Sequence, residues 1–258
     1  DYYSILYSKI PLIEDISQLQ NYPFYVYYSF KSFFESRQKL KINIKFKDYK
    51  KINFMRELAL NGEKEFSYVP AIIENKGEKL KAKIRLKGDR DIHYKDLNTS
   101  SYRIEIKNDK TFLGMSKFSI HKPVARNYIR EWIYLKMNYN EGIVTPRYKF
   151  IEVNINGQSK GLYAIEEHYT KHLIEYNNRK EGPIIRFNEN YGLSFENSRI
   201  EPYQISKEVK NYENMKNSVA LLETFRNNLS TLEQVFDVEK LGKFFAIIDL
   251  NGTFHATA

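Results

Sequence analysis

"NINGQSKGLYAIEEHYTKHLIE", residues 154–175, decides how this chain is read. Asn156-Gly157 supplies a two-residue hairpin turn, because both central positions of such a turn need positive φ. Around it, "YKFIEVNINGQSKGLYAIEE" (148–167) reads as strand alternation on both sides of the turn. Two glutamates and two histidines then crowd the point where the strand passes into the helical "TKHLIEYNN". On those residues alone three readings stay open: a solvated helix start, a metal site, or one wall of a nucleotide cleft.

Towards the N-terminus the pattern is strand-rich. "KLKINIKF" (39–46) alternates Lys with Leu and Ile as a half-buried strand. "YVPAIIENKGEKLKAKIRLKG" (68–88) forms two strands about Asn75–Gly77, with Leu80, Ala82, Ile84 and Leu86 on one face. "SYRIEIKNDKTFLGMSKFSIH" (101–121) is a further hairpin-like pair, turning at Asn108-Asp109. One helix interrupts the strands: Tyr128, Trp132, Leu135 and Tyr139 share a face, and Gly142 stops it. Trp132 reads as core and His121 as a loop residue.

After Glu167 the chain turns helical. Met215, Val219, Leu222 and Leu229 mark one face, Ser230 and Glu233 form a capping box, and Asp237 caps a last helix that buries Leu241, Phe244, Phe245 and Ile248. The predicted class is α+β, with a cleft between a strand-rich half and a helical half.

Composition narrows the chemistry. With 258 residues, 42% hydrophobic and 15% aromatic, the chain has ample material for a core. No cysteine is present, which excludes disulfides, thiolate nucleophiles and Cys-based zinc sites. No apolar run reaches the roughly 20 residues of a membrane-spanning helix. The net charge is +9, and two thirds of it lies in Lys31–Lys51. That run reads either as a solvated face or as a patch for anionic surfaces or phosphate-rich partners. It supplies no clear nucleic-acid signature, and nothing in the sequence sets an oligomeric state.

Among possible site motifs, His168 and His172 stand four apart with Glu175 near them, yet the HExxH order is absent, and no metal ligand set is assigned. Neither a Walker loop nor G-x-G-x-x-G nor G-x-S-x-G occurs. What remains is charge on strands and helix ends. Arg85 and Lys87 flank Leu86 before the Gly88 turn, Arg103 and Lys107 alternate with Ile, and Glu131 precedes Trp132. Phosphoryl-transfer enzymes of the kinase type use a strand cation and a helix glutamate in this way. Alternating Lys and Arg on a strand also suit a plain solvent face.

The run of words "KAKIRLKGD", "SSYRIEIKNDKTFLGMSKFSIHKP", "RNYIREW", "TPRYKFIEVNINGQSKGLYAIEEHYTKHLIE", "EGPIIRFNE" and "FDVEKLGKFFAIIDLNGTFH" resembles the spore-coat-protein-H (CotH-like) kinase family. The likeness runs from about residue 40 to the end. It implies a protein-kinase-like two-lobed fold: an N-terminal extension (1–39), an antiparallel β-rich N-lobe with one inserted helix (40–167) and a partial helical C-lobe (168–258). It implies ATP and Mg²⁺ as cofactors and transfer of phosphate to Ser of a protein partner or of the chain itself. A catalytically inactive pseudokinase, or a protein-binding module of the same fold, is the alternative. The resemblance places Arg85, Lys87 and Arg103 near phosphates, Glu131 as the inserted-helix glutamate, Glu167 towards the adenosine and Arg186 on a cationic strand. Where relatives carry a G-x-x-D aspartate, this chain has Gly252-Thr-Phe-His255, so His255 or Asp249 is expected to orient the acceptor. A later metal-binding aspartate of the family falls beyond Ala258, so the chain is expected to be C-terminally truncated. Spore-coat or cell-surface association is implied by the resemblance alone.

Overall fold

The computed structural model describes residues 38–75, 77–88, 90–180, 182–188, 198–204 and 212–252. The tyrosine-rich N-terminal stretch and His255 lie outside them. Seven strands carry the core: β1 (Lys39–Asn43), β2 (Val69–Asn75), β3 (Glu78–Leu86), β4 (Tyr102–Ile106), β5 (Lys117–His121), β6 (Tyr148–Ile155) and β7 (Gln158–Glu167). Their spatial order is β1-β2-β3-β4-β5-β7-β6, and β1 returns to β6 to close a barrel. All neighbours are antiparallel except β1 and β6, which run parallel.

Helix α1 (Phe46–Leu60) joins β1 to β2, and α2 (Arg130–Asn140) joins β5 to β6. Beyond the barrel come α3 (Lys171–Tyr176), a separate hairpin of β8 (Ile184–Asn188) and β9 (Arg199–Gln204), then α4 (Tyr212–Asn227), α5 (Leu232–Val235) and α6 (Val238–Asn251).

The expected protein-kinase-like two-lobed fold, with an antiparallel β-rich N-lobe and a partial helical C-lobe, is corrected: the core is one closed barrel of mixed strand direction. The reason lies at the turn quoted first. Asn156 and Gly157 both have positive φ, as the tight turn requires. Asn156 then reaches beyond its own hairpin: its amide donates to the Ile42 carbonyl at 2.9 Å, and its Oδ1 accepts from the Ile44 amide at 2.7 Å. The first strand is thereby held along β6, and the sheet has no free edge there.

A seven-stranded barrel is narrow enough for side chains to fill it. Ile42, Ile73, Ile84, Ile104, Phe118 and Ile165 point inward and are fully buried. Helix α1 adds Ile52 and Ala59 to the same cluster. That helix escapes the periodicity reading because its buried side also carries Asp48. Trp132, expected in the core, is 42% exposed, and Tyr139 on the same helix is 39% exposed, because α2 lies on the outside of the barrel. At the short helix near residue 230 the cap is Asn228, whose side chain accepts from the Ser230 amide. Asp237 caps α6 as anticipated, accepting from the Lys240 amide.

Closure makes a definite prediction. The amides of Leu40–Ile42 should exchange with solvent as slowly as those of β3, and Ile42→Ala should cost about 2–4 kcal/mol in urea unfolding. Fast exchange along β1 would mean an open sheet.

Candidate functional site

Because apolar side chains fill the barrel, alternate residues must face outward, and register places them in rows. Arg85 lies opposite Arg103, Arg103 opposite Ser119, Ser119 opposite Glu166, and Glu166 opposite Tyr148. One polar row thus crosses five strands. On the neighbouring row sit Lys87, just past the end of β3, and His121, opposite Ala164.

The two rows meet at Glu166. Lys87 Nζ donates to Glu166 Oε2 at 3.0 Å, with both side chains largely shielded. His121 Nδ1 stands 3.8 Å from the same oxygen, and its Nε2 is 3.1 Å from the Tyr148 hydroxyl. Burial opposes the charge on Glu166, but Lys87, aided by His121 and Arg126, outweighs it and holds the pKa near 2. His121 is pushed down to about 3, chiefly by burial, against the pull of Glu166. It is therefore a neutral imidazole at ordinary pH, fully buried at the end of β5 and not in a loop. Burial and the Glu166 charge raise the Tyr148 hydroxyl, so it stays protonated.

Glu166 also forms part of the wall of a cleft of about 620 Å³ between the barrel, α2 and α6. Arg126 enters it from the turn before α2, where Asn127 and Tyr128 both take positive φ. Glu131 enters from the first turn of α2. Its carboxyl is raised, first by burial and then by Glu166, while Arg126 and Lys87 act against this. Arg126 Nε is buried with no hydrogen-bond partner. Arg130 is committed elsewhere: its Nη2 donates to the carbonyls of Asn251 and Gly252, fixing the end of α6 at the rim. Leu135, Val144 and Phe244 supply the apolar part of the lining. The arrangement sets two carboxylates and an arginine whose buried Nε lacks a partner around one cleft, which suits an anionic ligand with a cation.

The residues expected at the site are distributed as follows. Lys87 and Glu131 both adjoin the Glu166 charge. Arg85 stacks on Tyr68 and donates to the Leu86 carbonyl at 3.0 Å. Arg103 lies between Arg85 and Ser119, its Nε buried without a hydrogen-bond partner, and its charge helps lower His168 to about 3 after burial. Glu167 turns the other way, into a clamp with Arg147, which donates from Nε at 2.8 Å and from Nη2. Arg147 continues to the carbonyls of Leu113 and Gly114, so the "LGMSKF" turn is tied to the end of β7. Arg186 pairs with Glu201 at 2.9 Å in the β8–β9 hairpin. Asp249 is exposed on α6.

His168 and His172 do not converge, since His172 Nδ1 meets Ser116 Oγ at 3.0 Å. Among the described residues no group of three or more His, Asp or Glu is placed to hold a metal ion. Residue-level reading missed Arg126 and the linkage of Glu166 to His121. The alternation of "KFSIH" extends to His121 and was the available signal. The pairing of β5 with β7, which skips β6, was not readable.

A family model described as CotH kinase protein matches residues 84–254, two thirds of the chain, and spans every element that lines the cleft. No curated protein matches the chain.

Lys87 is aimed by Gly88, whose φ is +114° and whose missing Cβ would lie 2.3 Å from the His93 ring. Gly88→Ala should destabilise by about 2–4 kcal/mol, and adding His93→Ala should return part of that, read by urea unfolding.

Acid sensitivity follows from His121. Its folded pKa lies below the unfolded value of about 6.5, so its contribution is complete above that pH and declines as the pH falls towards 3. From pH 7 to 5 it should remove about 2 kcal/mol, with His168 acting in the same direction. His121→Phe should flatten the stability-versus-pH curve over that interval. An unchanged slope would show that His121 is not held neutral.

Proposed function

We propose a function from the premise that the chain belongs to the CotH kinase family: transfer of the ATP γ-phosphoryl group to a Ser hydroxyl of a partner protein or of the chain itself. The observation that carries this reading is the opposed charge in the cleft. Glu131 and Glu166 face one space, and Arg126 Nε stands beside it with no partner. Two like charges so placed are relieved by a divalent cation, and an unpartnered guanidinium Nε by a phosphate oxygen. Mg²⁺ commonly takes only one or two carboxylates and completes its shell with water and substrate phosphates, which this donor set fits.

Bound Mg²⁺ would neutralise charge on the phosphate oxygens. Lys87 and Arg126 supply positive charge on the barrel side, with Arg85 and Arg103 extending it along the outer row. Glu166 positions the Lys87 ammonium, and Glu131 faces it from α2. Acceptor orientation is assigned to Asp249 or His255, which stand either side of Gly252 in the sequence; Gly252 itself lines the cleft.

A catalytically inactive binding module of the same family is the second reading. It is favoured by the sparse donor set, with no group of three metal ligands among the described residues.

The test is incubation with γ-labelled ATP and Mg²⁺, alone and with a Ser-rich protein. Lys87→Ala and Glu131→Gln should each reduce label transfer roughly 100-fold, the scale of losing one preorganised electrostatic contact. Thermal stabilisation by Mg·ATP without transfer would support the second reading. Neither stabilisation nor transfer would remove the nucleotide from the account.

A further inference from the structure

The basic run singled out in the sequence is not absorbed by the cleft. Its described part lies on β1 and on the first turns of α1, before the residues that match the kinase family. Helix α1 turns Ile52 and Ala59 into the barrel cluster. Asp48, the acid of its first turn, is only 4% exposed, so its carboxylate is absent from the outer face. What faces outward is a stripe at helical spacing. Phe46, Lys50 and Phe54 follow at intervals of four, with Lys47 and Lys51 alongside.

Both phenylalanines are exposed to an unusual degree, 74% for Phe46 and 64% for Phe54. They stand roughly 12 Å apart along the helix axis. Lys50 Nζ sits 4.6 Å above the Phe46 ring, so charge and ring share one spot. The next acid along the helix, Glu57, is taken up by Arg56 at 2.6 Å.

We propose that this face of α1 docks the protein onto an anionic lipid bilayer surface. The contact proposed is at the bilayer surface, and among the described residues no helix is long and apolar enough to cross a membrane. Charge complementarity selects an anionic partner, and the rings select its kind. Lysine ammonium groups can reach headgroup phosphates while the two exposed phenyl rings enter the headgroup–acyl boundary. A nucleic acid is less suited, because the stripe offers point charges and no guanidinium fork to a base edge. The inference is independent of the phosphotransfer reading, since it uses neither the cleft nor a nucleotide.

Co-sedimentation with vesicles tests it, in the absence of ATP. The chain should bind phosphatidylcholine vesicles containing 30% phosphatidylglycerol and not pure phosphatidylcholine vesicles. Replacing Lys47, Lys50 and Lys51 together by Ala should weaken binding roughly 100-fold. Phe46→Ser with Phe54→Ser should weaken it at least about 10-fold at constant charge, with an unchanged melting temperature because both positions are exposed. No binding to the anionic vesicles at low salt would overturn the proposal. So would full vesicle binding by the double Phe variant, or duplex DNA binding tighter than vesicle binding, since either marks a general polyanion patch.

Discussion

The rest of the molecule depends on the seam between the first and sixth strands. Beyond the paired backbones, one side chain helps hold it: Asn156 serves its own turn and also accepts from the Ile44 amide in a different part of the chain. Once the seam is closed, the interior is filled mainly by apolar side chains, because burying a polar group there costs the hydrogen bonds it makes with water. Polar residues of the strands are then forced outward. A row running from Arg85 to Tyr148 is the geometric consequence, as strand alternation continues across five paired strands.

On that outer surface the Lys87–Glu166 pair sets the electrostatics. Taking both ions partly out of water is unfavourable by itself, and the pair persists through its direct contact at 3.0 Å and a further cation, Arg126. The same low-dielectric setting keeps His121 neutral and the Tyr148 hydroxyl protonated. Glu131 feels Glu166 across the cleft and loses acidity. A ligand carrying a cation and phosphate charge would satisfy groups that otherwise oppose each other.

Glu166 and Glu167 show how neighbouring residues are separated by a strand. Alternation sends Glu166 to the outer surface, facing the cleft, while Glu167 is gripped by Arg147. Through Arg147 the second glutamate reaches Leu113 and Gly114, so the turn between β4 and β5 is braced against the end of β7. Gly114 has no room for a Cβ, which would meet Arg147 Nη1 at 2.4 Å. One carboxylate is thus free to interact with the cleft because its neighbour holds the backbone beneath it. This division answers why acids crowd the strand end at residues 166–167.

Local pattern by itself determined the hairpins at 69–86 and 148–167, the Asn156-Gly157 turn, the α2 region and the Asp237 cap, because each follows from side-chain period or from a contact within a few residues. It also brought Lys87 and Glu131 forward as charges on a strand end and a helix start. Tertiary structure alone decided that the sheet closes, that β5 pairs with β7, that Glu166 rather than Glu167 meets Lys87, and that Trp132 lies outside. Those outcomes rest on contacts such as Leu113–Arg147, Lys87–Glu166 and Ile44–Asn156, which are 34, 79 and 112 positions apart, and no periodicity encodes which distant partner will satisfy a given backbone or charged group.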